Sequence, residues 1–318
     1  MMMNFPNSFP LARYRFEFEV TDPIRLPEYA GSALRGVFGA ALRGVVCMTG
    51  MKTCPGCGLL RTCPYPQIFE SPPPLLKEGE KPMAVHPNPY VIEPPPWGTR
   101  EYLPGARLVF HLVLAGRALI QLPLLILAWQ RALERGIGPG NGTATLRRVL
   151  LMEEAGDTEI FTPEEGGIRD HETVVTIPSW KDRQEIPLRI LTPMRIQKEG
   201  SPVGPERLTP RDLLVTLLRR VSQVAEMHMS QSLKANYQEL AQQAMIIGVH
   251  GRLTWRDWTR HSRRQQQEMT LGGVIGNWVL TGPLEPFWPF LYLGQWLHVG
   301  KNSTFGLGQY RIIEETHS

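Results

Sequence analysis

Near the C-terminus, the run His298-Val299-Gly300-Lys301-Asn302-Ser303-Thr304-Phe305-Gly306-Leu307-Gly308-Gln309-Tyr310 combines three glycines with a histidine, a lysine and several hydroxyls. A loop of this kind lets backbone approach a phosphate. Glycine reaches positive φ, successive N–H groups form an anion nest, and Lys301 adds charge. An apolar helix-like stretch (284–297) leads into the loop and an apolar strand-like tail (310–313) leaves it. It is not a Walker loop, which carries G-x-x-x-x-G-K-[ST] and precedes a helix. Nor is it a dinucleotide fingerprint, which follows a strand and opens a helix. The alternative reading is a helix C-cap at Gly300 followed by an ordinary turn.

A second group lies upstream, at Trp255-Arg256-Asp257-Trp258-Thr259-Arg260-His261-Ser262-Arg263-Arg264. Arg256, Arg260, Arg263 and Arg264, with His261, fall within nine residues that hold a single acid. Arg35 and Arg43 share another segment with no acid between them. Guanidinium groups interleaved with Trp255 and Trp258 suit phosphate neutralisation and stacking on unpaired bases. The alternative is a solvated arginine face beside two core tryptophans.

All four cysteines, Cys47, Cys54, Cys57 and Cys63, fall in one window (47–63) with the spacing C-x6-C-x2-C-x5-C. Cys54-Pro55-Gly56-Cys57-Gly58 has the form of a zinc knuckle, whose turn points two sulfurs at one centre. Four thiolates leave no open position for water, so the expected zinc is structural, and an iron–sulfur cluster is the main rival.

The elements that must position these groups follow from periodicity. Tyr14, Phe16, Phe18 and Val20 alternate as the inward face of a strand. A helix follows from Gly31, with Ser32 as its expected cap and with Gly36, Gly39 and Gly44 inside it. Each such glycine costs about 1 kcal/mol relative to alanine, which points to a close neighbour. After the cysteines comes a crossover (71–97) with nine prolines. Strands are expected at 107–115 and 145–152, with a helix over 118–135 between them. The second half repeats the order: a strand at 188–196, a helix opened by Thr209-Pro210-Arg211-Asp212 and running to His228, strands at 251–259 and 271–281, the helix 284–297 and a last strand. The expected fold is therefore α+β: two tandem ferredoxin-like (RRM-like) domains. Residues 1–160 form the first, with the cysteine-rich zinc-knuckle insertion and the proline-rich crossover; residues 161–318 form the second, with the glycine-rich loop at 300–308.

Net charge is only +4, so nucleic-acid binding would depend on clustered rather than total charge. The most apolar stretch (118–132) is interrupted by Gln121, Pro123, Gln130 and Arg131 and is too short to span a bilayer. No membrane partner and a cytoplasmic location are expected.

The segment 255–269, with Leu271-Gly272-Gly273-Val274-Ile275-Gly276 and the loop 300–310, resembles the C-terminal domain of the CRISPR-associated endoribonucleases that process precursor crRNA. These belong to the RAMP superfamily, marked by a glycine-rich loop near the C-terminus. Leu26-Pro27-Glu28-Tyr29-Ala30-Gly31-Ser32-Ala33-Leu34-Arg35-Gly36-Val37-Phe38-Gly39 is similar to the start of the same family. The resemblance implies tandem ferredoxin-like domains, CRISPR repeat RNA as partner, possible contact with other CRISPR effector subunits, and cleavage without a metal ion. In that chemistry the 2′-OH attacks the adjacent phosphorus, which needs a base, an acid and positive charge on the phosphorane. The catalytic candidates are His298 and His261, each with basic neighbours. Many members of the broader family place catalytic side chains around the first helix. Residues 30–71 contain no histidine, which leaves Tyr29 and Lys52 as candidates there. The expected RNA contacts are Arg35, Arg43, Arg256, Arg260, Arg263, Arg264, Gly300, Lys301, Gly306 and Gly308. The alternative function is a non-catalytic RAMP subunit that holds guide RNA in an effector complex.

Overall fold

The computed structural model describes residues 5–73, 86–98, 100–231, 233, 235–262 and 267–313. The chain divides into two compact units. One comprises Pro10–Val174 with Met227–Ser230, and the other comprises Met1–Phe9, Val175–Glu226 and Gln231–Ser318.

In the first unit the elements run β1 (Ser8–Val20), β2 (Ile24–Leu26), α1 (Gly31–Val46), α2 (Pro64–Ile68), β3 (Tyr90–Glu93), β4 (Arg100–Tyr102), β5 (Arg107–Ala115), α3 (Leu122–Glu134), β6 (Ala144–Glu153) and β7 (Gly156–Phe161). The main sheet has the order β3-β5-β1-β6-β7, and β2 pairs with β4 apart from it. Among the strands of the repeating motif, β1, β3, β5 and β6, this is the order 2-3-1-4 of a ferredoxin-like unit. The inward face of β1 meets α1 and α3 in an aromatic core. Phe38 stacks on Trp129 at 4.7 Å between ring centroids, and Phe110 lies 4.4 Å from the same ring. Burying each such side chain is worth about 1.5–3 kcal/mol.

Two local expectations change. α1 begins at Gly31 behind Ala30, which makes no side-chain cap, so Ser32 lies inside the first turn. Of the three helix glycines, Gly39 has the close neighbour, since a Cβ there would overlap the Phe69 ring. The helix expected from residue 118 starts as a 3-10 turn (Gly116–Gln121) and becomes α only at Leu122. Pro123 explains this, because it lacks an N–H and is tolerated only in the first turn of an α-helix.

β8 (Val174–Thr176) lies where the chain passes between the units. The second unit continues with β9 (Glu185–Met194), β10 (Gln197–Lys198), β11 (Ser201–Pro202), α4 (Pro210–His228), α5 (Tyr237–Gln243), β12 (Gly248–Ser262), β13 (Gln267–Thr281), α6 (Trp288–Leu297) and β14 (Tyr310–Ile312). Its four-stranded sheet has the order β12-β13-β9-β14, again 2-3-1-4. α4 opens on a reciprocal capping box: the Thr209 amide donates to Asp212 Oδ2 at 3.0 Å, and the Asp212 amide donates to Thr209 Oγ1 at 3.3 Å. Lys198 adds an ion pair to Asp212 at 2.8 Å. Among the described residues no helix is long and apolar enough to cross a membrane.

Candidate nucleic-acid interface

The glycine-rich loop starts where α6 ends. His298 caps the helix at φ 57°, and its amide donates to the Gly294 carbonyl at 2.8 Å. Gly300, Gly306 and Gly308 all adopt left-handed backbone, with φ of 91°, 95° and 73°, which a Cβ disfavours. Space is short as well. A Cβ on Gly300 would lie 2.5 Å from the Arg195 carbonyl oxygen, and one on Gly308 would overlap the carbonyl of Val299.

Most amides of this loop are engaged inside the protein. Lys301 N donates to Arg195 O at 2.8 Å, Gly306 N to Ser303 O at 2.9 Å, and Gly308 N to Pro193 O at 3.1 Å. Gln309 N donates to Thr192 Oγ1 at 2.9 Å. The open anion nest expected from the sequence is thus closed at these positions. The glycines fold the loop onto β9, and the side chain it presents to solvent with a charge is that of Lys301.

The proton-transfer candidates fare differently from one another. His298 has 0% exposure, enclosed where α6 meets the loop, so a phosphodiester does not reach its imidazole in this arrangement. Beside it, Arg220 Nε and Nη2 donate to the Leu297 carbonyl at 3.3 and 3.2 Å, and burial pulls the guanidinium down to about 10. Tyr29 is also buried, its ring 5.0 Å from that of Trp97. Burial first, and then the charge of Glu93, push its phenol well above the usual range, which opposes a phenolate base. Lys52 is exposed within the cysteine window. His261 and Arg260 lie on β12 opposite Glu268 and Met269. Arg263 and Arg264 lie outside the described residues.

The two tryptophans separate. Trp258 is buried, edge-on to Phe305 of the glycine loop at 6.3 Å, so it belongs to the core and not to a base-stacking surface. Trp255 is half-buried and donates from Nε1 to Asp257 Oδ1 at 2.7 Å. Arg256 is exposed on the same strand. In the first unit, Arg35 donates from Nε to Tyr90 Oη at 3.1 Å, with its guanidinium 4.2 Å above the Phe69 ring. Arg43 donates to the Met51 carbonyl. Both therefore hold local structure together.

The arginines of the two sheets contrast sharply. In the first unit Arg13, Arg15, Arg107, Arg147, Arg148 and Arg169 pair with Glu17, Glu19, Glu93, Asp157, Glu159 and Glu165. Six cations meet six anions, and that lattice offers a phosphate no net charge. In the second unit the register places Arg252 opposite Asn277, Asn277 opposite Arg189, and Arg189 opposite Arg311. Directly opposite residues share a face, so four strands carry one row of three arginines and an asparagine. The alternate positions Leu188 and Ile190 are buried, while Arg189, Arg252 and Asn277 are exposed. Among the described residues neither Arg189 nor Arg252 pairs with a carboxylate. Sequence reasoning missed this row because its members are scattered from position 189 to 311. The available signal was polar residues at the outward positions of alternating strands.

Comparison with known proteins agrees with the architecture. An N-terminal domain family, AF_1859_N, matches residues 9–173, and the CRISPR-associated endoribonuclease Cas6 family matches residues 188–310. No curated protein matches the chain. Among solved structures, a Cas6 product complex is similar over 95% of this chain and 99% of that one, at 18% identity and a TM-score of 0.59. Thermus thermophilus Cas6 is similar over 97% and 100%, at 16% identity and a TM-score of 0.53. A partial Cas6-RT-Cas1–Cas2 complex is similar over 97% of this chain and 47% of that one, at 17% identity and a TM-score of 0.57. At such identities the structural likeness is one of fold. The AF_1859_N model spans just over half of the chain, which belongs to that family by its N-terminal domain, and residues 188–310 carry a CRISPR-associated endoribonuclease Cas6 domain.

Proposed function

We propose that the protein binds CRISPR repeat RNA on its second unit and cleaves precursor crRNA by 2′-OH attack without a metal ion in the chemical step. The observation that supports the binding surface is the row Arg252–Asn277–Arg189–Arg311, with Lys301 on the neighbouring loop. Opposite positions on neighbouring strands have Cβ atoms about 5 Å apart, so arginines along such a row can follow a phosphate backbone. Asn277 adds a donor and an acceptor for base or ribose. The expectation that Arg256, Arg260, Arg263 and Arg264 contact phosphate stands as part of this proposal. So does the role of His261, the remaining histidine candidate beside those arginines. Gly300, Gly306 and Gly308 serve by shaping the loop that carries Lys301.

The test is incubation of the purified protein with its repeat RNA in EDTA, followed by a denaturing gel. Cleavage leaving a 2′,3′-cyclic phosphate (or its opened form) and a 5′-OH is expected. A 2′-deoxy substitution at the scissile nucleotide should abolish it, whereas cleavage that needs added metal, or survives that substitution, would overturn the mechanism.

A second reading, a guide-RNA-holding subunit without cleavage, is favoured by one observation: His298 and Tyr29 are both buried. Tight binding with no product in the same assay would select it. Cytoplasmic location and association with other CRISPR effector subunits accompany either reading.

A further inference from the structure

We propose that Cys47, Cys54, Cys57 and Cys63 bind one zinc ion as four thiolates, and that this metal fixes the insertion between α1 and α2. The inference is independent of RNA cleavage. The backbone places the four residues as two fixed posts and one turn. Cys47 is the C-cap of α1, its amide donating to Arg43 O at 2.9 Å, and Cys63 is the N-cap of α2. Between them, Cys57 N donates to Cys54 O at 2.9 Å, closing a tight turn with Gly56 at φ 84°. That turn is the knuckle geometry that brings two sulfurs to one side. All four cysteines line one pocket, which Arg43 and Tyr65 also border. Cys54 and Cys63 rest against the hydrophobic core of the first unit, and all four residues are free thiols.

Among the described residues no three metal-ligating side chains yet stand at the positions of ligands to one ion. The sulfurs must therefore close on the metal by side-chain rotation, from backbones that the helix ends and the turn already hold. Binding converts four S–H groups and Zn²⁺ into four Zn–S bonds and releases four protons to solvent, leaving a doubly negative centre. The Arg43 guanidinium at the pocket lies where it offsets part of that charge. The insertion also needs a staple. Residues 48–63 contain turns but no strand or α-helix, and Met48, Met51 and Leu59 are exposed on it. A segment burying so little cannot offset the entropy of its own ordering, about 1–2 kcal/mol per residue for the backbone. A structural metal supplies that free energy outright.

The experiment uses the full-length protein, desalted without chelator. Elemental analysis should find about one zinc per chain, and native-state alkylation read by mass spectrometry should leave the four cysteines unmodified. After treatment with a strong chelator all four should alkylate, and a protease should cut within residues 48–63. Co²⁺ added to the chelated protein should restore protection and give the visible bands of a tetrahedral thiolate site. Cys57→Ser should lower zinc content at least several-fold. If that variant fails to fold, the alkylation of the wild-type protein still decides. Iron with visible absorbance, two disulfides by mass, or metal-free protein whose thiols alkylate freely would each overturn the zinc site. Loss of RNA cleavage with zinc retained would strike the functional reading and leave this one intact.

Discussion

Arg189 of β9 stands directly opposite Arg311 of β14, two like charges on neighbouring antiparallel strands of the second unit. Like charges so placed work against a sheet, and a bound phosphate backbone removes the conflict. Arg189→Ala should therefore weaken repeat-RNA binding while leaving the melting temperature of the free protein no lower than wild type. Binding measured across a salt series should lose about 0.7 from its log–log slope for each phosphate contact removed. The same change in Arg252→Ala would place the whole row under RNA. An unchanged slope in both variants would remove the row from the interface.

The loop that carries Lys301 should prove structural at its glycines and functional at its lysine. Gly308→Val forces a branched side chain into φ 73° and onto the Val299 carbonyl. Backbone strain alone costs about 1–3 kcal/mol, so a fall of several degrees in melting temperature is expected. Lys301→Ala, an exposed position, should stay within about 0.5 kcal/mol of wild type in stability and lose RNA affinity. A Gly308→Val protein that melts like wild type would contradict the packing described.

His298→Ala tests burial against catalysis. Truncating a fully enclosed side chain at a helix C-cap should destabilise the fold by about 1–3 kcal/mol. Single-turnover cleavage by the folded fraction should then stay within a few-fold of wild type. Tyr29→Phe should likewise leave cleavage nearly unchanged. A loss of about a hundredfold or more in rate with an unchanged melting temperature would instead restore His298 as acid or base.

Acid should destabilise the protein through two carboxylates. Burial raises Glu17 and Asp212, but bonds from Arg148 and Arg107 to Glu17, and from Lys198 and Thr209 to Asp212, outweigh it and hold both below the ordinary range. A carboxyl depressed in the folded state contributes stability that is present above its unfolded pKa, about 4, and lost as pH falls through the folded value. Denaturant midpoints should be flat above pH ~5 and drop below pH ~4. Glu17→Gln and Asp212→Asn should each lower the neutral-pH midpoint and flatten the acid limb. Variants whose acid limb is as steep as wild type would show that these carboxylates do not govern it.

The sequence alone determined where most elements lie and what several of them are for. Alternation marked β1, an apolar run matched β5 residue for residue, and Thr209 with Asp212 announced the cap of α4. These are signals local to a turn or a strand, and the backbone physics behind them acts over a few residues. Tertiary structure decided what faces solvent. His298 and Lys301 are three residues apart and chemically alike on paper, yet packing of α6 on the loop encloses one and exposes the other. Trp255 and Trp258 share a strand three residues apart and so point to opposite faces, and Trp258 is the one that is buried, edge-on to Phe305. The loop amides found partners at Pro193 and Arg195, over a hundred residues away in the chain. The arginine row exists only because register aligns positions 189, 252, 277 and 311 across four strands. A strand's own sequence fixes its two faces, but which residue stands opposite is set by pairing with distant segments.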